Sequence, residues 1–225
     1  MSSGAMPLQR IPWLRSKYLI FGFVGLMLAY VLRHNEHFQI DASDPAWQHY
    51  QPFKWWLLPH GLAGACALLL GPMQFSDRLR QRYIKLHRTV GWFYIVGAFI
   101  LAPLGAYIQY FEERMGAPRT FSAAALVDAI LLMTTTGIAL AFVRQGKIQQ
   151  HRQWMTRSYA VALVFLEVRV VGGVTGWERL GDAANEAIVW GCLAFSILFA
   201  DLILQWQELR RTRPVSAKAQ AAASR

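Results

Sequence analysis

Residues 123–143 read AAALVDAILLMTTTGIALAFV, and this stretch decides the fold class of the chain. It holds a single ionisable residue, Asp128, and its apolar side chains surround the helix instead of forming one stripe. Because an α-helix rises ~1.5 Å per residue, about 20 such residues cross the ~30 Å hydrocarbon core of a bilayer. The stretch therefore predicts a membrane-spanning helix.

Five more apolar runs accompany it, and 55% of the chain is hydrophobic. The six runs occupy residues 18–32, 55–75, 90–110, 123–143, 159–176 and 187–206. They predict an all-α protein, a bundle of six transmembrane helices in one membrane domain over residues 18–206. We expect a cytoplasmic segment, residues 1–17, before this domain and a basic, disordered tail, residues 207–225, after it. The expected location is the bacterial cytoplasmic (inner) membrane, crossed several times.

The basic residues favour alternate sides of the predicted membrane. Of the 23 lysines and arginines, 17 lie before the first run, between the second and third, between the fourth and fifth, or after the sixth. The positive-inside rule therefore places both termini in the cytoplasm. The net charge of +10 is explained by contact with anionic lipid headgroups. We expect no nucleic-acid partner, because the basic residues stand directly beside membrane spans.

Two similar motifs lead into the third and fifth runs. The first reads LHRTVGWFY over residues 86–94, and the second reads QHRQWMTRSY over residues 150–159. Each is a His-Arg pair on a predicted cytoplasmic loop, followed by a Trp and a Tyr. The motifs predict a four-helix core of spans two to five, built from two similar hairpins, with spans one and six outside it.

The same region carries a family resemblance. In chain order the motifs are PHGLAG at residues 59–64, LGPMQF at 70–75, HRTVG at 87–91 and HRQWMTRS at 151–158. This set resembles a family of uncharacterised bacterial polytopic membrane proteins, classified as a domain of unknown function. The resemblance covers roughly spans two to five. It implies the same topology and supplies no reaction.

Histidines at the ends of the predicted core favour a membrane redox role. Imidazole is the usual axial ligand of b-type haem, and His87 and His151 lie at the predicted cytoplasmic boundary of spans three and five. In layout alone the chain is similar to the cytochrome b561 group, in which a four-helix core holds haems between histidine pairs. His60, near the outer side, faces no second histidine, so we do not expect two haems. His151 lies ahead of the fifth run, within reach of water.

A quinone is the alternative cofactor at this boundary. Its carbonyl groups need hydrogen-bond donors, and the predicted donors are His87, Arg88, Gln74, Trp154 and Arg157. The competing interpretation is that the arginines reach lipid phosphates while the histidines cap helix starts. The candidate cofactor-binding residues are therefore His60, His87, His151, Arg88, Trp154 and Arg157.

Four ionisable side chains lie within the later spans, where each costs a few kcal/mol or more. They are Asp128, Glu167, Arg169 and Asp201. At their predicted depths, His60, Asp128 and Arg169 can share one outward-facing pocket. Arg169 is expected to pair with Asp128 or with Asp201. Buried charges, helix-breaking prolines and repeated hairpins also suit a small oligomeric transporter or proton-coupled carrier.

A third possibility is a non-catalytic assembly or scaffold subunit. Besides the lipid bilayer, a homodimer or a larger membrane complex is the expected partner. The sequence has no phosphate-binding loop, nucleophile elbow or zinc-spaced cysteine pair. Cys66 and Cys192 both lie inside spans, where we expect them to be packing residues. We predict no metal site, and the sequence leaves open whether the chain is an enzyme.

Overall fold

The computed structural model describes residues 13–39, 41 and 43–212, and these residues are helical almost throughout. The α-helices in them are α1 (Trp13–His34), α2 (Ala46–Tyr50), α3 (Lys54–Gln74), α4 (Asp77–Arg82), α5 (Ile84–Arg114), α6 (Arg119–Arg144), α7 (Ile148–Ala162), α8 (Val164–Thr175) and α9 (Asp182–Thr212). No β-strand occurs in this part of the chain. The prediction of an all-α fold is therefore confirmed.

The chain divides into two compact units after Trp47. The first contains α1 and a short 3₁₀ turn, His37–Gln39. In that turn Phe38 is buried, with its ring edge-on to Trp47 at 5.2 Å. The second unit contains helices α3 to α9, and every polar cluster described below belongs to it.

Within the described residues, five helical segments are long and apolar enough to cross a membrane. They are Ala46–Gln74, Ile84–Arg114, Arg119–Arg144, Ile148–Thr175 and Asp182–Leu209. The first predicted span corresponds to a shorter apolar stretch, Phe21–His34, at the end of α1. The transmembrane helical character of the chain is confirmed, while the side of the membrane on which its termini lie stays a prediction.

The helices extend beyond the predicted apolar runs. α5 begins at Ile84, ahead of the run 90–110, and the fifth span begins at Ile148 instead of residue 159. The backbone of these helices therefore includes polar residues that lie ahead of the apolar runs. As a result His87 and His151 are each the fourth residue of a helix. The prediction that these histidines lie on loops is wrong.

The predicted terminal segments are only partly described. α9 continues to Thr212, past the predicted end of the membrane domain at residue 206. Residues 1–12 and 213–225 lie outside the described residues. The predicted cytoplasmic segment and disordered tail stay predictions there.

Helices α3, α5, α6 and α7 form a closed four-helix core. α3 packs along α5, α5 along α6 and α6 along α7, and α7 in turn contacts α3. Small side chains, among them Ala98, Ala102 and Ala129, are buried where these helices meet and allow close approach. α9 packs outside, against α6, α7 and α8. The predicted core of spans two to five is thus present, with the sixth span outside it.

The outer faces of this unit are apolar. Leu62, Leu198 and Leu202 are 70%, 62% and 67% exposed, and many other large apolar side chains are similarly uncovered. A continuous apolar surface of this kind is unfavourable in water and suits contact with lipid chains.

Helix breaks occur at one predicted place and at one that the sequence did not indicate. α3 ends at Gln74, two residues after Pro72, as the proline predicts. The fifth span is interrupted at Leu163, between α7 and α8. Pro103, in contrast, lies inside α5, which continues to Arg114. The interruption at Leu163 lies between the first turn of α7, which carries His151, and the first turn of α8, which carries Glu167.

Candidate functional site

The first polar cluster lies at one end of the four-helix core. At this end, called here the His87 end, α3 and α6 finish while α5 and α7 begin. Gly91 lies one turn after His87 on α5 and leaves room for the side chain of Gln74. A Cβ on Gly91 would lie 3.1 Å from Oε1 of Gln74. The Gln74 amide therefore lies against the face of α5 that carries His87.

His87 and His151 lie at the same end of the core, because α5 and α7 both begin there. His87 is close enough to His151 for their charges to interact, and the guanidinium groups of Arg80 and Arg88 also act on it. The two histidines hold equivalent positions at the starts of α5 and α7. The equivalence follows the repeated motif from which the sequence predicted that these residues belong together.

A hydrogen bond fixes the ring of His151. Its Nδ1 lies 2.8 Å from the backbone carbonyl oxygen of Ala139 on α6. A carbonyl only accepts, so Nδ1 carries the proton and donates it to this bond. In the neutral ring, Nε2 is then left with a lone pair. His151 is thus oriented to accept a proton or to bind a metal through Nε2.

Two buried nitrogen atoms at the His87 end have no hydrogen-bond partner in the described part of the chain. They are Nε2 of Gln74 and Nδ1 of His87. Roughly 90% or more of buried polar groups are satisfied in proteins, and an unsatisfied one costs about 1–3 kcal/mol. The Gln74 amide nitrogen can only donate, and the His87 nitrogen donates in one tautomer. Both atoms therefore suit a ligand with acceptor oxygens.

Three other predicted cofactor-binding residues at this end, Arg88, Trp154 and Arg157, have different surroundings. Nε of Arg157 donates to Asp201 of α9 at 2.8 Å, and its guanidinium lies 4.9 Å from the ring centre of Trp154. Arg157 and Trp154 therefore help to attach α9 to α7. Arg88 is exposed, which fits the competing interpretation that it reaches lipid phosphates.

His60 lies far from this cluster. At helical rise it is about 21 Å from Gln74 along α3. Its Nδ1 lies 3.2 Å from the carbonyl oxygen of Leu101 on α5, and its ring fills the space left by Gly105. Of the three predicted histidines, only His87 and His151 therefore lie at the same end of the core.

A chain of buried hydroxyl groups lies two helical turns from the histidines. Oη of Tyr94 is 2.7 Å from Oγ of Ser158, which is 2.7 Å from Oγ1 of Thr136. Tyr94 follows His87 at the same interval at which Ser158 follows His151, so the repeat brings the two partners face to face. The sequence motifs contain Tyr94 and Ser158 but do not indicate that these two residues bond each other. Their equal spacing from the two histidines was the available signal.

The second polar cluster joins α6, α8 and α9. Oγ of Ser196 donates to Oε2 of Glu167 at 2.7 Å. Asp128 is close enough to Glu167 for their charges to interact. Oδ1 of Asp128 is buried and has no hydrogen-bond partner in the described residues. Two carboxyl groups thus lie near each other inside the membrane-spanning unit.

The structure shows contacts of three residues for which the sequence suggested partners. Asp201 pairs with Arg157, while the pairing of Arg169 stays a prediction. His60 contacts α5 and Asp128 lies near Glu167 of α8, and a pocket shared by His60, Asp128 and Arg169 also stays a prediction. Depth along a span follows from the sequence, but the direction in which a side chain points depends on helix packing.

Residues 57–204 match a family model whose description is "Predicted membrane protein (DUF2306)". The chain belongs to this family. The DUF2306 region begins in α3 and ends in α9, so it contains both polar clusters and the hydroxyl chain. The resemblance to a membrane-protein family of unknown function is confirmed, and it extends beyond the predicted spans two to five. No curated protein and no solved structure matches the chain.

Proposed function

We propose that this DUF2306 protein has a membrane redox role and binds the headgroup of a quinone at the His87 end of its core. The observation that carries the proposal is the pair of buried nitrogen atoms without partners among the described residues, Nε2 of Gln74 and Nδ1 of His87. A quinone headgroup is flat and presents carbonyl oxygens that accept hydrogen bonds. Donors from two adjacent helices supply what such an oxygen needs.

His151 supplies the complementary group. Because Nδ1 of His151 donates to Ala139, its Nε2 can accept the proton of a hydroxyl group. The reduced form of a quinone carries hydroxyl groups in place of carbonyl groups, so donors and an acceptor together serve both forms. A site at the end of the core also suits a polar headgroup at the bilayer interface and an apolar tail in the lipid.

One observation favours haem b as a second candidate. Histidines that bind metals usually donate their other ring N–H to a carbonyl or carboxylate, as His151 does to Ala139. His87 would supply the second axial ligand. Nδ1 of His87 has no corresponding acceptor in the described residues. Only one of the two histidines is oriented for an iron atom, and the quinone is the better fit.

An absorption spectrum separates the two cofactors. Protein from haem-replete cells is purified in detergent, and its visible spectrum is recorded oxidised and after reduction with dithionite. Quinone binding without haem leaves the visible region featureless. A Soret band with reduced α and β bands that His87→Leu abolishes would support haem and reject the preference for quinone.

Quinone binding is then measured through quenching of tryptophan fluorescence by short-chain ubiquinone and menaquinone analogues. Gln74→Leu and His87→Leu each remove one donor, and each is expected to weaken binding about tenfold, or ~1.4 kcal/mol. The matched control is His60→Leu, which removes an imidazole near the other end of α3 and should leave the affinity unchanged. Failure of the unmodified protein to bind, or equal affinities of all variants, would refute the quinone site.

A further inference from the structure

The two carboxyl groups of the second polar cluster lie in apolar surroundings. Asp128 is on the third turn of α6, and Glu167 is on the first turn of α8. Val164 of α8 packs with Ile188, Cys192 and Leu193 of α9 in one buried apolar group. Partly buried apolar side chains of α6 and α8 pack against the same group. Leu131, one turn after Asp128, and Val164, one turn before Glu167, belong to this packing, so each carboxyl group has aliphatic side chains beside it.

The two carboxyl groups differ in the hydrogen bonds that they accept. Glu167 accepts a hydrogen bond from Ser196, which favours its ionised form. Oδ1 of Asp128 is buried and lacks a donor in the described residues. A carboxylate oxygen without a donor is costly in apolar surroundings, whereas a protonated carboxyl group carries its own donor. The arrangement therefore favours a proton on Asp128 and a negative charge on Glu167.

Two further titratable groups lie on the helices packed around this pair. The thiol of Cys192 on α9 is close enough to Glu167 to interact with its charge. Arg169 is the basic residue of α8, and its guanidinium lies 5.3 Å from the ring centre of Phe165. Two carboxylates that interact in a medium of low dielectric constant disfavour each other's ionised form, so their titrations are coupled.

We propose that Asp128 and Glu167 form a single proton-binding site, in which the two carboxyl groups hold one exchangeable proton. The proton is taken from water and returned to water without any change of oxidation state. One carboxylate oxygen of the pair accepts the proton, and the hydroxyl group of Ser196 stabilises the remaining negative charge on Glu167. This site is about 24 Å along α6 from the His87 end, so it does not depend on a quinone or haem there.

Infrared spectroscopy tests the proposal on the full chain in lipid vesicles. The C=O stretch of a protonated carboxyl group, which D₂O shifts, is followed from mildly acidic to mildly basic pH. In the unmodified protein, one carboxyl group per chain is expected to lose its proton in this pH range. Because the two sites are coupled, Asp128→Asn and Glu167→Gln should each move the midpoint of this transition by about one pH unit or more. The double variant should lack the transition. Asp201→Asn, which removes a carboxylate paired with Arg157, should leave it unchanged.

A chemical measurement supports the spectroscopic one. Dicyclohexylcarbodiimide adds to protonated carboxyl groups in apolar sites, and mass spectrometry should locate one adduct per chain, on Asp128 or Glu167. Each asparagine or glutamine variant is first compared with the parent protein by thermal unfolding, so that loss of signal is not loss of fold. Absence of a titrating carboxyl at the pair, or two that titrate independently, would overturn the proposal. Loss of quinone binding in the earlier experiment would leave it unaffected.

Discussion

The close approach of α3 and α7 at Gly71 gives the sharpest test of the packing. Gly71 is buried, and a Cβ at this position would lie 2.5 Å from Cδ2 of Tyr159 and closer still to Cε2. The tyrosine ring cannot swing away easily, because its hydroxyl group donates to the carbonyl oxygen of Leu68 at 3.2 Å. The ring of Phe75 also contacts the ring of Tyr159, with the ring centres 5.7 Å apart. Gly71→Ala therefore forces the two helices apart or the ring out of place.

The magnitude follows from the distances. Carbon atoms pack best at about 3.5–4.0 Å, so the ring or the backbone must move by about 1 Å or more. Such overpacking costs about 1–3 kcal/mol, whereas replacing Gly by Ala in a helix gains up to about 1 kcal/mol. Contact with two atoms of a restrained ring places the cost at the upper end. We expect Gly71→Ala to lower the free energy of unfolding by about 2 kcal/mol.

The matched control lies on the same helix. A Cβ on Gly64 would be 3.4 Å from Cδ1 of Leu101, an ordinary contact, so Gly64→Ala should be neutral or slightly stabilising. Reversible unfolding in mixed micelles of dodecyl sulfate and a mild detergent, followed by circular dichroism, gives both values. In a Tyr159→Ala background the effect of Gly71→Ala should disappear. Equal effects of the two glycine substitutions, or a penalty that persists without Tyr159, would refute the close approach.

Two further substitutions probe the polar contacts between helices. Ser158→Ala removes the group that links two buried hydroxyls and should lower the free energy of unfolding by about 1–3 kcal/mol. The control is Thr156→Ala, which breaks a hydrogen bond within its own helix and should change the free energy of unfolding by about 0.5 kcal/mol or less. Micelle unfolding measures both, and similar values would contradict a special role for the hydroxyl chain. Asp201→Asn breaks a partly exposed pair with Arg157 and should cost about 0.2–1 kcal/mol, decreasing at high salt. A cost that salt leaves unchanged would argue against a solvent-screened ion pair.

The sequence predicted the architecture because the bilayer permits few alternatives. A hydrocarbon core offers no hydrogen bonds, so apolar runs long enough to cross it form helices. The run at 123–143 lies within α6, and the run at 90–110 lies within α5. Hydropathy located the helix ends poorly, since the backbone continues through the polar interface. For that reason His151 appeared to precede its span, although it is part of α7.

The candidate site was only partly predictable. The repeated His-Arg motif predicted that His87 and His151 belong together, and the two helices that carry them, α5 and α7, begin at the same end of the core. It did not indicate that Arg157 would be directed to Asp201, since a single span carries no information about which helix lies beside it.

The sequence by itself determined a helical membrane protein and the four helices of its core. These features depend on hydropathy and on order along the chain. Only the tertiary structure decided that Tyr94 bonds Ser158, that Nε2 of Gln74 is buried with no partner among the described residues and that Asp128 lies near Glu167. Each of these depends on the rotation of one helix against another. Many small packing contacts set that rotation together, and the sequence of one span does not encode it.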